Sequence, residues 1–193
     1  MFEEVITHYP DFPKPGIDFI DVLPFLQDKN VFKQVIEQLD AATTTPNVAT
    51  VEARGFLFAA PLLTASSKVE TIIPIRKKGK LPFAKDDLHK VCIEKEYGSD
   101  EVFYRLTDIA SGVPEGDTIY VSLLDDLLAT GGTALGIAQA LNKEVVVKDG
   151  KTYKVRVKEF LFLVELTDLK GAAILEELAP VHSILKIAGT DND

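Results

Sequence analysis

The sequence predicts an α/β fold in which a mostly parallel β-sheet is flanked by helices. Short apolar runs that suit buried strands alternate along the chain with longer segments whose apolar residues recur at helical spacing. Acidic, basic and glycine-containing segments follow several of these runs, at the place where open α/β sheets bind ligands. The chain has 193 residues, of which 46% are hydrophobic, so it is large enough for one domain with a complete core.

The predicted helices rest on apolar residues spaced three and four positions apart. A short helix is expected within residues 1–8, before a proline-rich segment that imposes extended or turning backbone. Further helices are predicted at 30–42, 55–66 and 134–141. In the predicted helix 55–66, Pro61 limits where the first turn can lie, because proline has no N–H to donate within a helix.

The predicted strands are short apolar or β-branched runs bounded by turn residues. They lie at 48–51, 71–75, 91–93, 102–106 and 119–124. Cys92, within the third run, is expected to be a small apolar strand residue. Asp149 and Gly150 separate two alternating runs, which predicts a β-hairpin within 144–158. We expect this hairpin to be an extension without a catalytic group.

The charge of the chain restricts its partners. A formal charge of −9 disfavours a nucleic-acid or anionic-membrane surface. A basic cluster nevertheless consists of Arg76, Lys77, Lys78, Lys80, Lys85 and Lys90. Turn residues interrupt this cluster, so it suits a phosphate-binding loop, the alternative being a solvated basic face. A single cysteine excludes an intrachain disulfide and the N-terminus lacks a secretory signal pattern, so a cytoplasmic location is expected.

Residues 119–134 carry the strongest functional signal. An apolar run, 119–124, ends at two adjacent carboxylates, Asp125 and Asp126, and the loop Ala129-Thr130-Gly131-Gly132-Thr133 then leads into a helix. Backbone N–H groups of a glycine loop at a helix N-terminus bind phosphate. The carboxylates can bind sugar hydroxyls or a hard cation. This layout predicts a site for a phosphorylated sugar, and the alternative is a buried strand followed by a capped turn.

The motif in this stretch is not that of an NTPase or a dinucleotide-binding protein, since neither G-x-x-x-x-G-K-[ST] nor G-x-G-x-x-G occurs. It resembles the phosphoribosyl-pyrophosphate motif of the type I phosphoribosyltransferases, and its form is similar to that of the adenine phosphoribosyltransferase family. Further segments resemble that family in the same order: a base-binding segment, a pyrophosphate loop, the two ends of a flexible loop and a C-terminal signature. These segments are residues 11–17, 52–58, 76–82 with 94–98, and 164–166 with 169–171.

The resemblance implies the type I phosphoribosyltransferase fold in a single domain over residues 1–193, with 1–40 contributing a hood over the base, and with a flexible loop. It implies a purine salvage reaction in which adenine and phosphoribosyl pyrophosphate give AMP and pyrophosphate, with Mg²⁺ as cofactor. The base nitrogen displaces pyrophosphate at the anomeric carbon of the ribose. The implied partners are these small molecules and a second copy of the chain in a homodimer, with no nucleic acid and no membrane.

The resemblance also assigns roles around the phosphorylated sugar. The loop Ala129–Thr133 is expected to bind the 5′-phosphate, for which a plain helix N-cap at Thr130 or Thr133 is the alternative. Asp125 and Asp126 are expected to hold the ribose 2′- and 3′-hydroxyls, directly or through the metal.

The remaining roles concern pyrophosphate and the base. Arg54, for which a salt bridge is the alternative, is expected to grip the pyrophosphate together with the backbone amides at 53–54. Glu96 is expected to act as acid or base toward a purine ring nitrogen, Tyr97 to shield the site from water, and Phe19 to stack on the base. Arg76, Lys77 and Lys80 are expected to neutralise pyrophosphate, and some of them to reach across the dimer interface.

The chain departs from the family pattern at Asp18, where an apolar residue is common, and at Ile20, where a basic one is common. If backbone groups at 17–20 read the base, adenine is preferred over hypoxanthine and guanine, and Ile20→Arg changes that preference little. Two alternatives stay open. One is a regulatory protein that senses phosphoribosyl pyrophosphate without turning it over, and the other is a phosphoribosyltransferase for a 6-oxopurine.

Overall fold

The computed structural model describes residues 2–82, 84, 86–95 and 98–188. Within them the strands are β1 (Thr7–Tyr9), β2 (Phe19–Asp21), β3 (Asn47–Val51), β4 (Thr71–Lys77), β5 (Leu88–Lys95), β6 (Gly98–Arg105), β7 (Thr118–Leu128), β8 (Val145–Lys148), β9 (Lys151–Leu166) and β10 (Val181–Ile187). The α-helices are α1 (Lys29–Ala42), α2 (Arg54–Ala65), α3 (Leu106–Ala110), α4 (Gly132–Leu141) and α5 (Gly171–Glu176). Short 3₁₀ helices lie at Leu23–Gln27 and Thr167–Leu169.

A mostly parallel sheet forms the centre of the protein, as the sequence predicts. β10, β9, β7, β3 and β4 lie side by side in that order and run parallel. β6 pairs antiparallel with β4, β5 with β6, and β8 with β9. β1 and β2 form a separate antiparallel ribbon. The carboxyl ends of the parallel strands therefore meet at one edge of the sheet, where such folds bind ligands.

Helices cover both faces of this sheet. Side chains of β9 alternate between two buried clusters: Phe160 and Phe162 pack with residues of α4 and α5, and Leu161 and Leu163 with residues of α1 and α2. Ile20 of β2 belongs to the second cluster, so the N-terminal ribbon is anchored on the α1–α2 face. No helix within the described ranges is long and apolar enough to cross a membrane.

α1 illustrates how the local sequence sets an element. The Asp28 carboxylate accepts hydrogen bonds from the backbone N–H groups of Asn30 (2.7 Å) and Val31 (3.1 Å), which caps the helix at its start. Val35 and Leu39 are buried on its inner face, as the helical spacing predicts.

Two local predictions need correction, and a third is confirmed with an unexpected exposure. The helix expected within residues 1–8 is absent from the described residues 2–8, because the chain turns and enters β1 at Thr7, whose pairing with Asp21 of β2 no local pattern reveals. Pro61 lies inside α2 and not in its first turn. Proline has no N–H to donate there, and the packing of Phe58 in the core stabilises the helix in spite of this. Cys92 lies in β5, as predicted, but its side chain is exposed.

Several strands extend beyond the apolar runs that predict them. β4 continues through Arg76 and Lys77, which pair with Phe103 and Val102 of β6, because a ladder needs only backbone groups and accepts charged side chains at its solvent side. The hairpin at 144–158 is confirmed as β8 and β9.

Candidate functional site

The candidate site lies at the carboxyl edge of the sheet, where β3 and β7 are neighbours. β3 leads into α2, which begins at Arg54, and β7 leads toward α4, which begins at Gly132. The prediction that the acidic pair follows the central strand is wrong, since β7 continues through Asp125 and Asp126 to Leu128. Backbone pairing with β9 persists there, from Asp125 opposite Phe162 onward, although the apolar run has ended.

Arg54 and Asp126 join the two strand ends. The Nε of Arg54 lies 2.7 Å from the Oδ2 of Asp126, whose side chain is almost fully buried. The N–H does not point at that oxygen, so the contact is an ion pair without an aligned hydrogen bond. The prediction that the 52–55 segment and the acidic pair converge is therefore confirmed, and Arg54 has an ion-pair partner that is itself a candidate site residue.

Asp125 sits in an unfavourable place for a negative charge. Burial, and next the charge of Asp126 beside it, raise the pKa of Asp125 to about 8, and the more distant charge of Arg54 opposes this only in part. The backbone N–H of Asp126 donates to Asp125 Oδ1 at 2.9 Å. With Asp125 protonated at neutral pH, Asp126 and Arg54 balance each other's charge, so a cation that binds here would replace the proton of Asp125.

The loop 129–133 forms a hollow at the start of α4. The hollow has a volume of about 100 Å³, and Thr130, Gly131 and Thr133 are among its lining residues. Gly131 has φ 80° and caps α4, and no side chain caps the first turn. The alternative of a threonine N-cap is therefore wrong, and the N–H groups of this turn have no capping side chain within the described chain.

A glycine of the C-terminal signature supports this loop. A Cβ on Gly171 would lie 2.1 Å from the carbonyl oxygen of Ala129 and 2.8 Å from the backbone nitrogen of Gly131. Only glycine permits this approach between the two backbones. Gly171, to which the sequence analysis gave no role, therefore fixes the shape of the loop from behind.

Glu52 organises the start of the basic cluster. Its carboxylate accepts from Arg76 Nε at 2.8 Å and from the backbone N–H of Lys77, and Arg76 Nη1 also donates to the carbonyl of Lys80 at 2.9 Å. Burial raises the pKa of Glu52, but these hydrogen bonds outweigh it and the pKa lies below its usual value. Arg76 is thus held within its own chain, whereas Lys77 and Lys80 are exposed.

A larger cavity of about 460 Å³ lies under the N-terminal ribbon. Phe19 lines it, the guanidinium carbon of Arg54 lies 5.3 Å from the centre of the Phe19 ring, and Phe12 meets that ring edge-on at 5.3 Å. The lining is His8, Gly16, Ile17, Asp18, Phe19, Ile20, Leu127, Ala129, Leu166, Asp168, Leu169, Ile187 and Ala188. The cavity therefore adjoins Arg54. It also adjoins the loop 129–133, since Ala129 of that loop lines it.

Two predicted site residues, Glu96 and Tyr97, lie outside the described residues. β5 and β6 form the antiparallel hairpin on either side of them, with Lys95 opposite Gly98. Residues without an assigned role in the sequence analysis include Glu52 and His8. An acidic residue directly after a predicted strand and two positions before Arg54 is the signal that indicates Glu52, whereas the pairing of His8 depends on the ribbon.

Comparisons with known proteins agree on one family. The chain is 39% identical over 189 residues to an adenine phosphoribosyltransferase of Wolinella succinogenes, a match that covers 94% of this chain and 92% of the relative. It is 36% identical over 182 residues to an adenine phosphoribosyltransferase of Aliarcobacter butzleri, covering 92% of this chain and 88% of the relative. The chain belongs to the adenine phosphoribosyltransferase family. No protein-family model matches it.

Solved adenine phosphoribosyltransferases share the fold. The structure from Thermoanaerobacter pseudethanolicus superposes with a TM-score of 0.77 at 35% identity and covers 96% of this chain and 98% of its own. The structure from Saccharomyces cerevisiae, complexed with D-2,5-dideoxy-2,5-imino-altritol 1,6-bisphosphate and adenine, has a TM-score of 0.75 at 29% identity, covering 95% and 96%. Membership of this family favours a transferase acting on adenine over both a regulatory protein and a phosphoribosyltransferase for a 6-oxopurine.

Proposed function

We propose that this chain forms AMP and pyrophosphate from adenine and phosphoribosyl pyrophosphate in purine salvage. The observation that carries the proposal is the ion pair of Arg54 with Asp126, because it unites the pyrophosphate-loop segment with the acidic pair beside an aromatic-lined cavity. The relatives named adenine phosphoribosyltransferase support the reaction type.

The proposed binding mode divides the substrate among neighbouring elements. The hollow of the loop Ala129–Thr133 receives the 5′-phosphate, where backbone N–H groups and the helix dipole of α4 favour an anion. Asp125 and Asp126 receive the ribose hydroxyls. Adenine enters the 460 Å³ cavity and stacks on Phe19.

The proposed partners of pyrophosphate are basic. Arg54 turns its guanidinium toward the leaving group, and Lys77 and Lys80 are exposed and free to approach it. Arg76 contributes its charge from a fixed position on Glu52. These positive charges stabilise the negative charge that develops on pyrophosphate as the glycosidic bond forms.

Mg²⁺ fits this arrangement as a shared ligand. The described residues hold no group of three or more His, Cys, Asp or Glu side chains that could bind a metal, so they offer no complete set of metal ligands. Magnesium commonly binds through one or two carboxylates together with substrate phosphates and water, and Asp125 and Asp126 match that pattern. When bound, the ion would neutralise charge on pyrophosphate.

The residues outside the described part complete the proposal. Glu96 exchanges a proton with a ring nitrogen of the base, and Tyr97 excludes water from the ribose centre. What supports these roles is the resemblance of residues 94–98 to one end of the family's flexible loop.

We further propose a homodimer assembled through α2. Its outward side carries apolar side chains, and Leu57 and Leu63 are 41% and 37% exposed. The Arg76 guanidinium carbon lies 5.9 Å from the centre of the Phe56 ring, so this apolar side adjoins the basic cluster. A partner on α2 would therefore sit next to the pyrophosphate site. We also propose that residues 1–193 act as one domain, with 1–40 as the hood, in the cytoplasm.

The test is a direct assay of the purified protein with adenine, phosphoribosyl pyrophosphate and Mg²⁺. We expect AMP and pyrophosphate in equal amounts, and no AMP when EDTA removes the metal. Hypoxanthine and guanine in place of adenine test the base. Efficient product formation from hypoxanthine but not adenine would contradict the proposal, as would tight binding of phosphoribosyl pyrophosphate without any turnover.

A further inference from the structure

Asp18 brings a carboxylate into a cavity that is otherwise mainly apolar. Asp18 directly precedes Phe19 and lines the same 460 Å³ cavity. Its Oδ2 lies 2.7 Å from Nδ1 of His8, which also lines the cavity. The histidine thus fixes one carboxylate oxygen from β1, across the ribbon that forms the hood.

The second carboxylate oxygen is the unusual feature. Asp18 Oδ1 is buried and has no hydrogen-bond partner among the described residues. A buried acceptor without a donor costs free energy, whereas an ionised carboxylate can accept several hydrogen bonds. Folding therefore leaves unused acceptor capacity at the wall of this cavity, which a ligand with an N–H donor would satisfy.

We infer that Asp18 is a specificity-determining residue that accepts a hydrogen bond from the exocyclic amine of the base. This inference rests on the proposed function, since it places adenine in the hood cavity. The proposed contact requires the Asp18 side chain to turn about the hydrogen bond between Oδ2 and His8 so that Oδ1, which is buried in this structure, faces the base. His8 is a positioning residue, which holds the other oxygen while Nδ1 donates to it.

The chemistry of the two purine classes makes the contact discriminating. Adenine presents an N–H donor at position 6, which a carboxylate accepts. Hypoxanthine and guanine present a carbonyl oxygen there, which would lie against the negative charge without a proton between them. A buried polar group left unpaired by the wrong ligand commonly gives strong discrimination.

Steady-state kinetics with both bases test the inference. We expect Asp18→Asn and Asp18→Leu to lower kcat/KM for adenine about tenfold, mainly through KM, because charge-assisted hydrogen bonds are stronger than neutral ones. Efficiency with hypoxanthine should stay level in Asp18→Leu and rise in Asp18→Asn, whose amide can donate to the 6-oxo group. Glu37→Gln, on the exposed side of α1, removes one charge elsewhere and serves as the control.

His8 variants separate positioning from simple packing. His8→Leu removes the donor to Asp18 and should lower the adenine-to-hypoxanthine ratio by about threefold. His8→Asn keeps an N–H close to the position of Nδ1 and should restore the ratio. The KM for phosphoribosyl pyrophosphate should not change in any of these variants, and thermal unfolding checks that each of them folds.

Clear outcomes would overturn the inference. The first is a base ratio within twofold of wild type in both Asp18 variants. The second is a loss of selectivity in Asp168→Asn, at another lining carboxylate, with none in Asp18→Asn. If the wild-type protein makes no AMP, the proposed function fails by itself. Calorimetric titration with adenine then still tests Asp18, and equal affinity in wild type and Asp18→Asn refutes its role.

Discussion

Arg54, at the first turn of α2, lies 2.7 Å from Asp126, in the last part of β7, and so ties the two strand ends of the candidate site together. Each group neutralises part of the other's charge. A pyrophosphate anion would compete with Asp126 for Arg54, and a cation would compete with Arg54 for Asp126. We therefore expect substrate and metal binding to be coupled through this pair, because either one would release a partner for the other.

The acidic pair should be essential for turnover and dispensable for folding. Asp125→Asn combined with Asp126→Asn keeps the shape of both side chains but removes the carboxylates that we propose to hold the ribose hydroxyls and the metal. We expect kcat/KM to fall by about 10²–10³-fold or more, the usual loss when preorganised charge is removed. Circular dichroism should match wild type, and Asp117→Asn, an exposed charge at the start of β7, is the control. Near-wild-type activity in the double variant would refute the sugar and metal assignment.

Asp125 should make the stability of the metal-free protein depend on pH. Its pKa is raised in the folded state, so between about pH 4 and pH 8 the folded protein holds a proton that the unfolded chain has lost. The contribution of Asp125 to the free energy of unfolding therefore falls as the pH rises through that range. Asp125→Asn cannot lose a proton, so it should be more stable than wild type at pH 8.5 in EDTA, by a margin that shrinks toward pH 4.5.

Urea unfolding at pH 4.5 and pH 8.5, at equal protein concentration, measures the difference in the free energy of unfolding between Asp125→Asn and wild type. The control is Asp117→Asn, because Thr118 and Lys154 hold the pKa of Asp117 below its usual value and its effect should not change between pH 4.5 and 8.5. An Asp125→Asn protein that is less stable than wild type at pH 8.5 would contradict the electrostatic argument.

The convergence of Arg54 with the acidic pair could be predicted from the sequence because it follows from topology. Parallel strands place their carboxyl ends at one edge whatever their side chains are. The length of β7 could not be predicted in the same way. Its ladder with β9 depends on backbone groups of a strand many residues away, and the apolar run ends at Leu124 although the pairing goes on to Leu128.

The N-terminal ribbon is a second case in which pairing between strands could not be predicted from the sequence, and this affects the choice of variants. Ile20 is only 1% exposed and packs in the core cluster with Val22 and Phe25. Ile20→Arg was expected to leave base preference unchanged, but it would bury a charge without a partner and destabilise the fold. The substitution therefore does not test base reading. A substitution of Asp18, two positions earlier, does test base reading. The pairing of β1 with β2, and not the sequence around Asp18, places this side chain against His8.

Gly171 should be intolerant of any side chain. In Gly171→Ala the new Cβ would lie 2.1 Å from the Ala129 carbonyl oxygen, so the phosphate loop must move. We expect a loss of about 1–3 kcal/mol in the free energy of unfolding and a strongly raised KM for phosphoribosyl pyrophosphate. The matched control is Gly136→Ala in α4, whose Cβ would meet Ile93 at an ordinary 3.5 Å. It should keep its activity and gain up to about 1 kcal/mol in helix stability. Equal behaviour of the two variants would refute the support role of Gly171.

The exposed apolar side of α2 should determine both assembly and activity. Leu57→Glu with Leu63→Glu places two charges in the proposed interface, where each would lose its hydration without gaining a partner. Sedimentation should show a dimer for wild type and a monomer for the variant. Activity should fall with dissociation, because the interface adjoins Phe56 and the Arg76 side chain stacked near it. Leu178→Glu, which alters a similarly exposed leucine after α5, should remain an active dimer. A fully active wild-type monomer at assay concentrations would show that the site is complete within one chain.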